Sequence, residues 1–561
     1  MPRRVLVAAL LMSTTIGVVQ TANQPVRFTK GMVVSQSEIA SRVGADVLKD
    51  GGTAVDAAVA TAFALAVTHP TAGNIGGGGF MVFRPSAGEP EAYDFREVAP
   101  AKASPTMFMK DGKYDFTTHH LSHISVGVPG TVAGLHMAWK EHGKLPWLRL
   151  VGPAIKLARE GFPVSVDLAG SLAGELERMK PYPASIKQFS KNGVPYQAGE
   201  TLKQPELATT LERIAENGPA GFYEGEVALL LEKEMSAHGG LITREDLKNY
   251  KAQKRVPLRG TYRGYDIIGM PPVSSGGMAL IQMLNVLEGY DMKAAGAGSA
   301  RSLHLMAEAM RRAFADRARY MGDPAFVKDM PIDRLISKDY ASQQRKTIRE
   351  DRASTSTPTS FEWTADHPET THFSVVDGER NAVSVTYTLE FGYGSAITVP
   401  GAGFLLNNEM GDFNGAPGLT TAEGLIGTDP NLALPGKRML SSMTPSILAK
   451  DGKLFMVTGS PGGRTIINTV LNTIVNVIDF GMNAQDAVDA GRIHHQWLPD
   501  VISYERNKFS PDTIGLLQKL GHQLKEGGGQ GVAEVIVVDP KTNVLEGGVD
   551  RRAADGGAAG R

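Results

Sequence analysis

No cysteine occurs among the 561 residues, and that absence removes disulfide frameworks, thiolate zinc sites, iron–sulfur clusters and a cysteine nucleophile. Any covalent catalysis must use Ser, Thr, Lys or a carboxylate. An excess of one charge is also lacking: 58 Lys and Arg stand against 59 Asp and Glu, a net charge of −1, which argues against a nucleic-acid-coating protein. A run long enough to span a bilayer is missing too. The apolar stretch from Val5 to Val19 falls short of the roughly 20 residues a membrane helix needs. Behind Arg3 and Arg4 it matches the apolar centre of a secretory leader, so residues 1–22 are expected to direct export and to be cut near Ala22. What is present in quantity is glycine, 64 residues or about 11% against a usual 7%, which points to many turns and close backbone approaches. At 42% hydrophobic and 21% charged the chain is globular rather than disordered or fibrous. Its length suits three to four domains, or one large α/β body, on a prior of roughly 150 residues per domain.

Strand-like and helical patterns alternate from residue 30 onward. Met32 to Val34 reads as a strand. Ala54 to Val67, rich in Ala, Val, Leu and Phe, reads as a helix buried on several sides. Gly76 to Gly79 precede the apolar strand Phe80 to Phe83; with no Lys-Ser/Thr pair behind them, they predict a tight turn packed on a neighbour rather than a phosphate loop. Residues 125 to 320 read as mostly helical: Thr131–His142, Leu148–Glu160, Glu206–Asn217, Glu224–His238, Gly277–Leu287 and Ser302–Met321 carry apolar residues at three- and four-residue spacing. Arg311, Arg312, Asp316, Arg317 and Arg319 are expected on a solvated helix face. The Ser/Thr/Pro stretch 351–360 predicts an exposed, mobile boundary. Beyond it the texture is β-rich, with His372–Asp377, Ala382–Thr388, Ser446–Lys450, Leu454–Thr458 and Glu534–Val538 as strands and Thr465–Phe480 as a long helix.

Thr370 to Thr388 reads as a hairpin. If Asp377 pairs with Asn381, cross-strand partners sum to 758 and Thr370 falls opposite Thr388, with Cβ atoms roughly 4.5–5.5 Å apart. Taken alone this is a plain Thr pair on a sheet. Three polar or glycine clusters follow: Asn407 to Asp412, Lys437 to Met443 and Gly459 to Arg464. Glu409 and Asp412 could grip an ammonium group or be solvated. Ser441 and Ser442 could bind a carboxylate or cap local backbone. The Gly459 cluster could face an oxyanion or form the turn into the helix that follows.

In order along the chain, these segments resemble the gamma-glutamyltranspeptidase family of N-terminal-nucleophile hydrolases. The resemblance rests on Asp56 to Val59, Asn74 to Gly79, Asp94 to Glu97, Pro271 to Gly277, Thr370 to His372, Asn407 to Asp412, Ser441 to Met443, Gly459 to Gly463 and Asp550 to Arg552. It implies an α/β fold, a layered αββα sandwich formed jointly by the two subunits of a precursor that cuts itself between Glu369 and Thr370. Residues 23–369 would be the large subunit and 370–561 the small one, of 192 residues. The freed α-amine of Thr370, with a reference pKa of roughly 7.7–8.0, could serve as base to its own hydroxyl. By chemistry alone Thr371 is the rival nucleophile; the family pattern places the cut before Thr370.

The resemblance further implies that Thr388 orients the Thr370 hydroxyl and that Gly462 and Gly463 hold the oxyanion. Arg96, Ser441 and Ser442 would bind the α-carboxylate of a γ-glutamyl donor such as glutathione, and Glu390, Glu409 and Asp412 its α-ammonium. Water or the amine of an amino acid or peptide would accept the acyl group. No cofactor and no nucleic-acid partner is implied. The 13 His show no paired ligand motif with carboxylates, so no metal is expected and His494-His495 reads as a packing or surface pair. The expected location is periplasmic or secreted, without a stable membrane anchor. Two positions depart from the pattern: some members carry Asn where Glu390 stands, and some carry Tyr in a lid-like loop where Glu423 appears. Glutaryl-type (cephalosporin) acylases resemble the same scaffold, and their substrates lack the α-amine. A non-catalytic amino-acid or peptide binder is a third, weaker reading.

Overall fold

The computed structural model describes residues 23–356, 369–418 and 428–561. The leader at 1–22 and Glu423 lie outside the described residues. Among those residues two seven-stranded sheets form the centre. In chain order the strands are β1 (Val26–Phe28), β2 (Met32–Ser35), β3 (Gly78–Arg84), β4 (Glu91–Asp94), β5 (Gln253–Arg255), β6 (Leu258–Tyr262), β7 (Tyr265–Gly269), β8 (Glu369–Val376), β9 (Ala382–Glu390), β10 (Ser446–Lys450), β11 (Lys453–Thr458), β12 (Glu534–Val538), β13 (Leu545–Val549) and β14 (Gly557–Gly560). The first sheet runs β5-β4-β3-β9-β8-β2-β14 and the second β1-β13-β12-β11-β10-β7-β6. Every neighbouring pair in both is antiparallel.

The helices that matter below are α1 (Glu38–Lys49), α2 (Ala54–Thr68), α3 (Phe116–His120), α4 (Gly225–Ala237), α5 (Gly276–Leu287), α6 (Ala300–Tyr320) and α7 (Thr465–Ile478). Alternation along the strands sorts their side chains into separate cores. Val375 and Val383 pack with α1 and α2 on one face of the first sheet. Val34, Phe80, Val82 and Val376 meet Ile447, Val457 and Ile536 of the second sheet. Leu448, Met456 and Val535 pack under α5, α6 and α7. Two sheets face each other with helices on both outer faces, the αββα arrangement. Strands from both sides of Thr370 interleave in each sheet, so neither portion completes a sheet alone.

All 15 residues of α2 are buried, as its apolar composition implies. Its start is fixed by a Thr53/Asp56 capping box. Its fit on α1 needs Gly44, where a Cβ would lie 2.2 Å from Thr61 Oγ1. Gly76 to Gly79 form the expected close packing: Cβ atoms at Gly77 and Gly79 would stand 2.1 and 2.4 Å from the carbonyls of Thr388 and Thr386. The β8–β9 register is the one the sequence predicts, with Thr370 opposite Thr388 and Val376 opposite Ala382. Asp377 closes its turn by accepting from the Glu379 and Asn381 amides at 2.9 and 3.0 Å.

Two expectations are corrected. The helical reading of 125–320 misses β5, β6 and β7; β6 and β7 join through Arg263 and Gly264, both at positive φ, a two-residue turn signal. The supposed solvated face of α6 is largely interior: Arg311, Asp316 and Arg317 are buried and only Arg319 is exposed. The described part of the boundary stretch, 351–356, is exposed or half-exposed as expected, with Ser354 N donating to Glu308 Oε1 (3.0 Å) and Ser356 N to Asp500 Oδ2 (2.7 Å); residues 357–360 lie outside the described set. His494 and His495 are a buried packing pair. No helix among the described residues is long and apolar enough to cross a membrane.

Candidate active site

A narrow cleft opens where β8, β9, the turn Glu409–Asp412, the Ser441-Ser442 segment and the start of α7 meet. Of the residues singled out from the sequence, Thr370, Thr388, Arg96, Glu390, Glu409, Asp412, Ser441, Ser442 and Gly463 line it. Gly462 precedes Gly463 in the turn. Glu369 is placed by its backbone at the head of β8, where the register slips between it and Thr370.

On one wall the Thr370 hydroxyl donates to Thr388 Oγ1 at 3.3 Å. Thr388 Oγ1 in turn accepts the Glu390 amide at 2.8 Å, and its carbonyl is held by Asn74 Nδ2 at 2.9 Å. These links fix the hydroxyl of Thr388 beside Thr370. Gly462 and Gly463 adopt φ of 119° and 54°, values that favour glycine. Their carbonyls accept from Thr465 N and Ile466 N, both at 3.1 Å, in the turn that opens α7.

The other wall carries the charges. Arg96 is wholly buried, with Nη1 2.5 Å from Glu409 Oε2 and 3.4 Å from Glu97 Oε2, and with Nη2 bonded to Asp412. Burial opposes the charge of Arg96, but Glu409, Asp412 and Glu97 outweigh it and hold the guanidinium firmly protonated. Burial pushes the Glu409 carboxyl up to about 7, against the pull of Arg96. Glu97 is raised as well, first by burial and then by repulsion from Glu409. The turn that presents Glu409 is tied to the end of β9: the Asn408 amide donates to the Leu389 carbonyl at 2.9 Å and Asn408 Oδ1 accepts the Phe391 amide at 3.1 Å.

Ser441 Oγ accepts the Met443 amide at 3.1 Å and Ser442 Oγ accepts Arg317 Nη2 at 3.0 Å. Each oxygen thereby receives a donor and its own hydrogen can turn toward an anion. Arg317, read from the sequence as solvated, is thus a support of the site, and its Nε also donates to Ser275 Oγ at 2.8 Å. Two further residues take part, one noted from the sequence only as the end of the Gly459 cluster and the other not singled out at all. Arg464 lines the cavity. His120 Nδ1 donates to Glu390 Oε1 at 3.1 Å, with its ring stacked against Phe116 and Phe391. Burial lowers the His120 pKa to about 4, so it acts there as a neutral donor. The helical period of α6 could have flagged Arg317, since Met310, Ala313, Phe314 and Met321 stand seven, four and three residues before it and four after, on the same apolar strip. Nothing local marks His120.

An αββα body with a threonine at the head of a central strand, facing a second hydroxyl and a charged pocket, defines the class of N-terminal-nucleophile hydrolases. A family model for gamma-glutamyltranspeptidase matches residues 40–560. The glutathione hydrolase proenzyme of Escherichia coli (strain K12) is 47% identical over 575 residues, covering 100% of this chain and 99% of that one. Among solved structures, a cephalosporin acylase from Bacillus halodurans superposes with a TM-score of 0.85 at 28% identity, over 98% of this chain and 99% of that one. A gamma-glutamyltranspeptidase from Helicobacter pylori gives 0.56 at 48% identity, over 56% of this chain and 91% of that one. The chain belongs to the gamma-glutamyltranspeptidase family.

Proposed function

We propose that this protein is a γ-glutamyl hydrolase and transferase that matures by cutting itself between Glu369 and Thr370. The observation that carries the reading is the pairing of Thr370 with Thr388, 3.3 Å apart, across a cavity from Arg96 and its carboxylates. In the cut enzyme the Thr370 α-amine takes the hydroxyl proton as Oγ1 attacks the γ-carbonyl. The oxyanion forms against the amides of Gly462 and Gly463. The protonated amine then gives its proton to the leaving amine, and a Thr370 ester remains. Water or the amine of an amino acid or peptide resolves that ester.

The charged wall explains donor choice. With no donor present, Arg96 is ion-paired with Glu409 and Asp412. A zwitterionic glutamyl end can insert into that pairing: its carboxylate takes Arg96, Ser441 and Ser442 while its ammonium takes Glu390, Glu409 and Asp412. A glutaryl group brings only the negative charge and would compete with buried carboxylates it leaves unpaired, at a cost of several kcal/mol. The acylase-like neighbour shares the scaffold, but these carboxylates favour the amine-bearing donor. A periplasmic or secreted location follows from the leader-like residues 1–22.

The Thr370→Ala protein should stay one uncut chain and release no γ-glutamyl groups, whereas the unaltered protein should yield a 192-residue fragment beginning at Thr370. Mass spectrometry with N-terminal sequencing checks the first point and hydrolysis of a γ-glutamyl amide the second. A Thr370→Ala chain that still cuts and turns over, or a strong preference for the glutaryl analogue, overturns the proposal.

A further inference from the structure

Three groupings among the described residues bring His and carboxylate side chains together with their ligand atoms within 4.8 Å of one another. In two of them a cation already holds the carboxylate. Glu308, beside His304 and His522, is paired with Arg311 and Arg312 at 3.3 and 2.6 Å. Glu91 and Glu141, beside His142, are paired with Lys254 at 2.9 and 2.6 Å. A metal ion there would have to displace or face those cations. The third grouping, His123, Glu234 and His238, differs: among the described residues the ion-pair partners of Glu234 are the two imidazoles.

Glu234 lies in the last turn of α4 and His238 is its C-cap residue. Four residues apart, they share one face of the helix end. His123 opens the short turn His123–Ser125, directly after α3. Its Nε2 stands 3.0 Å from Glu234 Oε1, and His238 Nε2 stands 3.6 Å from the same oxygen. Two ligands held tetrahedrally on a zinc ion at roughly 2.1 Å lie roughly 3.4 Å apart, a separation that these two distances bracket. The side chains of His123 and Glu234 are 8% and 12% exposed while that of His238 is 54% exposed. Two ligands are therefore set in the protein wall, and the third stands at the surface where an ion can enter and water can complete its coordination.

We propose that His123, Glu234 and His238 form a binding site for a divalent transition-metal ion, with Zn²⁺ the best match to two imidazole nitrogens and one carboxylate oxygen. The site is separate from the Thr370 cavity and does not rest on the activity proposed above. A bound ion would pin the end of α4 to the segment that carries His120, the partner of Glu390. The sequence hides the site because His123 and Glu234 are 111 positions apart.

The test is calorimetric titration of ZnCl₂ into chelator-treated, tag-free, processed protein near neutral pH, with Co²⁺ absorption as a second readout of coordination. One saturable Zn²⁺ per chain is expected, with a tetrahedral-type Co²⁺ spectrum. His238→Ala, a surface change far from Thr370 in role, should weaken Zn²⁺ at least about tenfold while metal-free γ-glutamyl hydrolysis is unchanged; Glu234→Gln should also weaken binding. No saturable Zn²⁺ binding overturns the proposal, and so does binding of the same affinity and stoichiometry in His238→Ala, which would place the ion elsewhere.

Discussion

The two walls of the Thr370 cavity are built by opposite means. The nucleophile wall comes from one hairpin: Thr370 and Thr388 are 18 residues apart, joined by strand register and a short Asp377 turn. The charged wall is gathered from distant places, Arg96 reaching Asp412 across 316 positions and Arg317 reaching Ser442 across 125. One wall is nearly free of net charge and held by backbone. The other concentrates a guanidinium and three carboxylates around Arg96, each group depending on the rest. Local construction makes the first wall tolerant of side-chain change, whereas mutual compensation makes the second fragile.

That contrast predicts a difference in stability. Thr370→Ala should leave the denaturant midpoint of the uncut chain close to that of an uncut control, since it removes one 3.3 Å hydrogen bond. Arg96→Gln strips the cation from Glu97, Glu409 and Asp412 and should cost about 3–5 kcal/mol, read as a lowered midpoint or as precursor that never matures. Equal effects of the two changes would break the comparison.

The next effect separates the walls by pH. Burial holds the Glu409 carboxyl at about 7 against an ordinary 4.5. Between those values the folded state keeps a proton that the unfolded chain has released, so this group's contribution to stability is full below about 4.5 and falls as pH rises through about 7. In the proposed donor pose binding would run the other way, because only an ionised Glu409 would attract the ammonium. The KM for a γ-glutamyl amide should therefore fall as pH rises through about 7, and Glu409→Gln should flatten both slopes. The Thr370 amine that the proposed cut would free belongs to the other wall and should act on kcat, so a KM profile that survives Glu409→Gln would remove Glu409 from the donor site.

How far the sequence revealed each wall follows from the same difference. Strand period and turn chemistry are local, so the Thr370–Thr388 pairing could be read by arithmetic. The residue types of the charged wall were legible only through the ordered family motifs. Their mutual pairing was not, because it depends on the loops that bring residues 96, 409 and 412 together. Arg317 was misread as one of a run of charged residues like its exposed neighbour Arg319; its apolar strip on α6 marks it as interior, but its bonds to the Ser275 and Ser442 segments come only from packing. The β6–β7 hairpin was missed because helical text surrounds it on both sides.

Arg317 gives a smaller, sharper test. Its Nε and Nη2 bond two different serines at 2.8 and 3.0 Å, a span that a single ammonium cannot cover. Arg317→Lys should raise the KM for the donor about tenfold, or ~1.4 kcal/mol, with kcat little changed, because Ser442 loses its orientation but Thr370 keeps its own. A fall in kcat at constant KM would move Arg317 from the charged wall to the nucleophile wall.

The smallest effect belongs to Glu390, which sits where the two walls join. Its backbone amide supports Thr388 at 2.8 Å, while its carboxylate takes His120 and, in the proposed donor pose, would face the ammonium. Glu390→Asn keeps the backbone amide that supports Thr388, and Asn is well suited to the φ of 78° at this position. With Glu409 and Asp412 still present, loss of the third carboxylate should raise donor KM by less than about tenfold, under ~1.4 kcal/mol, without lowering stability. Steady-state kinetics with a γ-glutamyl amide and its glutaryl counterpart separate the contributions. If the change abolishes γ-glutamyl turnover yet spares the glutaryl substrate, Glu390 rather than the Glu409–Asp412 pair is the principal ammonium ligand, and donor selectivity originates on the hairpin itself.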